Sequence, residues 1–313
     1  MVDLKLDIPK EFFEEEVRCG FTVTKERKEL WAVGLDLLNE LIRVCKKHKI
    51  NIYVSDGTLL GAVRHKGMIP WDDDIDTVML REDYERLCKI APKEFKHPYF
   101  FQNEETDPGS MRGHAQLRNS ETTGILKCEL ELGCKFNQGI FIDIFPLDNV
   151  PDDEDELQRY LSKNMKLIKK KQLWSRNTDR YVKSKKPGIK SKLKNLIAPI
   201  SRDFTRFFKI KNPYYKKLEK LKLKYRFTDT EWIGELTLPY IYERGFKRLK
   251  TDYVGTPRYM DFEMIKVPVP LNCEDNLTRE YGNWKEFEMG SSVHGGVIFD
   301  ANVSYKEYLK NKG

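Results

Sequence analysis

The chain has 313 residues, 40% of them hydrophobic and 12% aromatic. That is enough apolar material for a core in one large or two smaller domains, and it excludes a disordered chain. The formal charge of +7 hides an asymmetry: Arg159 to Arg226 contains 24 Lys/Arg against 3 Asp/Glu, so the remainder is net acidic. A tract this basic favours a polyanionic partner: anionic lipid, nucleic acid or a phosphorylated substrate.

No stretch reaches the ~20 apolar residues that span a bilayer. Met1 to Glu16 is mixed in charge and lacks the apolar run of a secretory signal. The expectation is a cytoplasmic protein whose six scattered cysteines are free thiols in a reducing compartment. Cys128 and Cys134 fall outside the usual zinc spacing, and no second pair lies near them.

Residues 10 to 50 read as helical. Leu30, Val33, Leu37, Leu38, Leu41, Ile42 and Cys45 recur at three- and four-residue spacing, and Lys46-Lys47-His48-Lys49 suits a helix C-terminus. This helix is expected to pack on a sheet and to carry no chemistry. Ile52 to Val54 form the first strand, and Ser55-Asp56-Gly57-Thr58 is a small-residue turn into a helical turn. There Gly57 and Thr58 are candidates for holding phosphate through the backbone. Arg64 or Lys66 would offset phosphate charge, and His65 reads as a loop residue.

Asp72-Asp73-Asp74-Ile75-Asp76 is the most informative stretch. Four carboxylates in five positions repel each other, and folding gains nothing from clustering them. A strand starting near Asp74 would place Asp74 and Asp76 on one face, with Ile75 and Val78 turned to a core. Paired carboxylates suit a hard divalent cation, Mg²⁺ or Mn²⁺. Strand, small-residue turn, helix and then a strand bearing Asp-x-Asp is the layout of a nucleotidyltransferase site.

Arg81 to Phe95 read as a helix and Tyr99 to Gln102 as a strand. His114 to Arg118 alternate as a half-buried strand, with Arg118 a further phosphate candidate. Ile140 to Phe145 form an apolar run that Asp143 interrupts. A carboxylate there is costly unless paired or bound to metal, so Asp143 is expected to complete the metal site or act as base. Asp148, past Pro146, reads as a turn residue.

Asp56-Gly57-Thr58-Leu59-Leu60-Gly61-Ala62-Val63-Arg64-His65-Lys66-Gly67 with Ile69-Pro70-Trp71-Asp72-Asp73-Asp74-Ile75-Asp76 resembles the hallmark block of the LicD family. Gly139 to Asp148 resembles its second block, and Leu117 to Thr123 the segment between them, although the family more often has Asp where Asn119 stands. Tyr281-Gly282-Asn283-Trp284 is similar to its short C-terminal element. The resemblance is strong over residues 50 to 150, patchy from 231 to 310, and absent over the basic middle. It implies an α+β fold related to fukutin, with a nucleotidyltransferase-like mixed β-sheet core flanked by helices. It further implies transfer of phosphocholine or a similar phospho-substituent from CDP-choline, or a related CDP-linked donor, to a sugar hydroxyl of a cell-surface glycan, with CMP leaving. Asp74, Asp76 and Asp143 would bind the metal. A nucleotidyltransferase that releases pyrophosphate, or a non-catalytic binding protein, are the competing readings.

The organisation expected is a catalytic core over 1–150, a basic helical insertion over 151–230, and a C-terminal part over 231–313 that completes the catalytic domain. In the insertion, Leu157, Leu161, Met165 and Ile168 recur at helical spacing. So do Leu193, Leu196, Ile197, Ile200, Phe204, Phe207 and Phe208, with Pro199 a kink or break. Such helices would lie on the anionic inner face of the cell membrane or pack on the core with their lysines solvated. No nucleic-acid recognition module is present, which counts against that partner. His294 is a loop residue that could reach the site.

Overall fold

The computed structural model describes residues 1–110, 112–130, 134, 136–178, 188–208, 210–237, 247–290 and 296–312. The chain begins with a ribbon rather than the expected helix. β1 (Glu16–Arg18) pairs antiparallel with β2 (Phe21–Val23). Cys19 and Gly20 between them both have positive φ, the backbone that a tight two-residue hairpin turn requires. The helix starts only at α1 (Lys25–Lys47), where the Thr24 hydroxyl caps it by accepting the Arg27 N–H.

After α1 come β3 (Tyr53–Val54) and α2 (Asp56–Leu60), which runs into one wide turn over Gly61–His65. β4 (Asp76–Leu80), α3 (Arg81–Glu94), β5 (Tyr99–Gln102), β6 (Ala115–Asn119), β7 (Thr123–Leu126), the single-turn α4 (Lys127–Leu130) and the long β8 (Ile140–Asn149) follow. Next are three helices, α5 (Glu154–Asn177), α6 (Ile189–Phe207) and α7 (Pro213–Lys222), and then β9 (Trp232–Glu235) and β10 (Lys247–Leu249). β11 (Arg258–Phe262), β12 (Ile265–Val269), α8 (Cys273–Tyr281), β13 (Val297–Asp300) and α9 (Tyr305–Lys312) end the chain.

Among the described residues, seven strands make one mixed sheet around β8. One edge of β8 pairs parallel with β4; the other pairs antiparallel, first with β6 and then with β9. β3 extends the sheet beyond β4, β5 beyond β6 and β10 beyond β9. The expected α+β mixed sheet flanked by helices is what the chain forms. The segment after the basic helices returns to this sheet through β9 and β10.

α1 covers one face of the sheet. Its Leu37, Leu38 and Leu41 are buried in a cluster with Ile75, Met79, Leu117, Ile142 and Ile144. Each such side chain contributes about 1.5–3 kcal/mol by leaving water. The other face is covered separately, where Val78, Phe145 and Leu147 pack on Tyr53, Ile233 and Tyr253. Val78 therefore shares the face of Asp76, two residues before it, and not that of Ile75 as expected. Asp148 is no turn residue either. β8 runs through Pro146, and Asp148 is buried in a two-bond ion pair with Arg81, each bond 2.6 Å.

Candidate functional site

The acidic stretch is a braced turn that leads into β4, which begins at Asp76 rather than at Asp74. Asp72 N–H closes the turn on the Ile69 carbonyl at 2.9 Å. The Asp72 carbonyl accepts from both the Trp31 indole (2.9 Å) and the Arg27 guanidinium (2.8 Å). These bonds from α1 anchor the turn's backbone ahead of the strand. α1, expected only to pack on the sheet, thus also holds the turn. Ile75 is buried against α1, where Gly34 leaves room: a Cβ there would stand 3.1 Å from the Ile75 methyl.

The carboxylates are crowded. One ligand oxygen from each of Asp72, Asp73 and Asp74 lies within 4.8 Å of the others. Burial raises the Asp74 carboxyl well above its ordinary value, and Asp72, Asp73 and Asp143 raise it further. Burial likewise raises Asp76, with Asp74, Asp56, Asp143 and Asp72 adding to it. Repulsion of this kind is what a divalent cation relieves, and hard oxygen donors at this spacing fit Mg²⁺ or Mn²⁺. The tight set, however, is Asp72–Asp73–Asp74, not the expected Asp74–Asp76–Asp143.

Asp143 reaches the same place from the neighbouring strand. It is the register partner of Asp76 in the parallel β4–β8 pair, so the two side chains stand on one sheet face. Its Oδ1 faces His114 Nε2 at 2.8 Å and accepts from Gln116 Nε2 at 2.7 Å. Burial alone would push this carboxyl up, but His114 and Gln116 bring it below its ordinary value. Asp143 is therefore held ionised while Asp74 and Asp76 are driven toward protonation.

The glycine turn lies against the acids. Thr58 Oγ1 accepts the Asp76 N–H at 2.9 Å, and Ser55 N–H donates to the Asp76 carbonyl at 3.0 Å. A Cβ on Gly57 would sit 2.6 Å from an Asp72 carboxylate oxygen, so glycine is what lets that carboxylate approach. Asp56 is tied to the C-terminal part of the chain. The buried Arg248 donates to Ser55 Oγ at 2.6 Å and to Asp56 at 3.3 Å. Glu280, at the end of α8, is driven far up by burial and by Asp56, and protonated it hydrogen-bonds Asp56. The Tyr281 phenol is raised by burial first and then by the charges of Glu280, Asp56, Asp76 and Asp72.

The expected phosphate cations take different positions. Arg64 donates to the carbonyls of Trp284 (2.7 Å) and Glu286 (2.9 Å) and lies over the Phe287 ring. It fastens the C-terminal element to the first block. Arg118 is fully buried, and its guanidinium is spent on Gln102, the Gly139 carbonyl and Gln116. A phosphate cannot reach it there; it orients Gln116, which holds Asp143. Lys66 is exposed, with a left-handed backbone. His65 packs on Trp71 and Phe287 and is pushed down to about 4 by burial, with Arg64 and Arg18 adding to it, so it is neutral. His294 lies outside the described residues.

Several site residues gave little warning in the sequence. Gln116 and His114 sit on the expected β6 strand, and their alignment with Asp143 follows once β6 and β8 are paired. Arg248 and Glu280 have no local signal, because only the fold brings them to Asp56.

Residues 49–173 match the family described as LicD/FKTN/FKRP, nucleotidyltransferase domain. The chain is 26% identical over 261 residues to the lipopolysaccharide cholinephosphotransferase LicD of Haemophilus influenzae, an overlap that covers 82% of this chain and 90% of that protein. It is also 42% identical over 57 residues to an uncharacterized protein of Rickettsia prowazekii, covering 18% of this chain and 21% of that one. A counterpart in Rickettsia typhi is 40% identical over 57 residues, covering 18% of each chain. The 49–173 match spans α2, the acidic turn with the start of β4, and β8, the elements that carry Asp56, Asp72–Asp76 and Asp143. The chain is thus similar to the LicD family over this segment and, at 26% identity, to one of its members over most of its length.

Proposed function

We propose that this protein is a transferase that moves phosphocholine, or a similar phospho-substituent, from a CDP-linked donor to a sugar hydroxyl of a glycan. The observation that carries the reading is the crowding of Asp72, Asp74 and Asp76 in one braced turn with Asp143 on the next strand, in a chain similar to a lipopolysaccharide cholinephosphotransferase. Asp74 and Asp76, with Asp72 beside them, would hold Mg²⁺ or Mn²⁺. When bound, the cation offsets the charge of the donor's pyrophosphate.

The chain's own residues do the rest. The backbone of Asp56–Thr58, fixed by Arg248, Ser55 and Thr58, would hold donor phosphates against the acids. Asp143, kept ionised by His114 and Gln116, takes the proton of the acceptor hydroxyl. The acceptor oxygen forms a bond to the phosphorus bearing the small alcohol, the bond from that phosphorus to the bridging oxygen breaks, and CMP leaves. The acceptor belongs to the chemistry of a lipopolysaccharide or teichoic-acid sugar.

The test is incubation of the protein with Mn²⁺, CDP-choline and a sugar acceptor, with the nucleotide product resolved by chromatography. CMP formed together with a phosphocholine-bearing sugar supports the reading. Pyrophosphate released from CTP, with CDP-choline left intact, would replace it with nucleotidyl transfer.

A further inference from the structure

α6 is inside out. Its buried positions are Ala198 and Thr205, with Asn195 and Ser201 half-buried on the same side. Its apolar residues point to solvent: Leu193, Leu196, Ile197, Ile200, Phe204 and Phe207 are 54–80% exposed. Their spacing of three, four or one residues places them along one stripe of a helix of 19 residues. Phe204 and Phe207 both pack on Phe208, so the aromatic end of the stripe is a continuous patch. A helix meant only to complete a core turns such a stripe inward, as α1 does; a contiguous exposed apolar patch marks a surface that something covers.

The flanking charge says what covers it. Residues 189–211 carry seven Lys/Arg and one acid, Asp203. The neighbouring groove between α5 and α7 repeats the chemistry, with five lysines, among them Lys163, Lys217 and Lys224, around Leu167 and Leu221. An apolar stripe bordered by cations fits a bilayer surface with anionic headgroups, where the apolar face sinks to the acyl boundary and the cations meet phosphate. No helix among the described residues is long and apolar enough to cross a membrane, so the contact is in the plane.

We infer that α6 is an in-plane membrane helix, which docks the protein on an anionic phospholipid surface through Leu193, Leu196, Ile197, Ile200, Phe204 and Phe207. The inference stands apart from the transfer chemistry, because no residue of the acidic site takes part.

The test is co-sedimentation of the full chain with vesicles of phosphatidylcholine alone or mixed with phosphatidylglycerol. Binding is expected to the mixed vesicles, to weaken as salt rises, and to fall about tenfold or more in the Leu196→Ser/Ile200→Ser/Phe204→Ser variant. Those positions are exposed, so an unchanged melting temperature shows that the variant folds. Lys192→Glu/Lys194→Glu is expected to weaken binding to the mixed vesicles while barely changing the weak binding to pure phosphatidylcholine. Failure to bind the mixed vesicles, or binding equal in the serine variant, overturns the inference. So does a dimer by light scattering that the serine variant dissociates while vesicles are ignored, because the stripe would then belong to a second copy of the chain.

Discussion

The acidic turn and the basic insertion are both dense in charge, yet they are built in opposite ways. In the turn, the apolar side chains are buried in the core and the like-charged ones are crowded together. Ile75 and Met79 are buried, while Asp72, Asp74 and Asp76 crowd together and the carboxyls of Asp74 and Asp76 are raised by burial and by their neighbours. In the insertion, most of the described long cations, Lys166, Lys217 and Lys220 among them, are exposed while Lys171 and Lys222 are buried, and it is the apolar stripe of α6 that is left in water. Each region leaves in place the one arrangement that folding alone would remove. In the first it is like charge held together, which the proposed cation and phosphates would answer; in the second it is exposed hydrocarbon, which the proposed lipid surface would answer. The charge of a segment therefore says less about its function than which of its groups the fold declines to satisfy.

The contrast is sharpest at the carboxylates. Asp74→Asn and Asp76→Asn are each expected to lower transfer about 1,000-fold or more, the scale of losing a metal or charge-stabilising group, with the fold retained by circular dichroism. Near-normal activity in either would remove that residue from the mechanism. The next largest effect is on folding. Asp148→Ala leaves Arg81 buried without its carboxylate and is expected to cost about 3–5 kcal/mol, read as a lowered denaturation midpoint. Asp148 lies in the same sheet as the acids, so this separates a carboxylate the fold needs from those it merely tolerates.

Stability against pH sharpens the comparison further. Asp74 and Asp76 have folded values raised above those of the unfolded chain. Their contribution is therefore fully present below about pH 4, the unfolded value, and is lost as pH rises through the raised folded values. Metal-free protein is expected to melt at lower temperature near pH 7 than near pH 5. Mg²⁺ or Mn²⁺ should raise the melting temperature more at the higher pH, and Asp76→Asn should flatten that difference. A pH dependence of melting that Asp76→Asn leaves unchanged in the metal-free protein would count against repulsion in the turn. Smallest of all is the expected effect of Lys166→Gln with Lys220→Gln in the insertion. Two solvated lysines should move stability by less than about 0.5 kcal/mol each and leave transfer to a water-soluble acceptor unchanged.

Much of the site was legible in the sequence, for physical reasons. Asp74, Asp76 and Asp143 stand out because a carboxylate beside or within an apolar strand contradicts its surroundings, and the parallel β4–β8 register then brings Asp76 and Asp143 level. The glycine turn was visible too, but its reason was not: Gly57 makes room for Asp72, and Thr58 accepts the Asp76 N–H. Cations were read least well. Arg64 and Arg118 follow conspicuous segments, yet whether a guanidinium meets a ligand or a backbone carbonyl depends on chain that arrives from far away. Trp284 and Glu286 claim one, and Gly139 and Gln102 the other. Arg248 and Glu280 were invisible for the same reason. The β1–β2 ribbon was missed because its Cys-Gly turn lacks the Asn-Gly or Asp-Gly pair that announces a hairpin.

The central claim is that the crowded carboxylates exist to hold a divalent cation, and calorimetric titration of Mn²⁺ into the metal-free protein tests it most directly. Saturable binding is expected in the native protein and should be lost in Asp74→Asn. Absence of binding in the native protein, or binding that survives unchanged in Asp74→Asn, would contradict it.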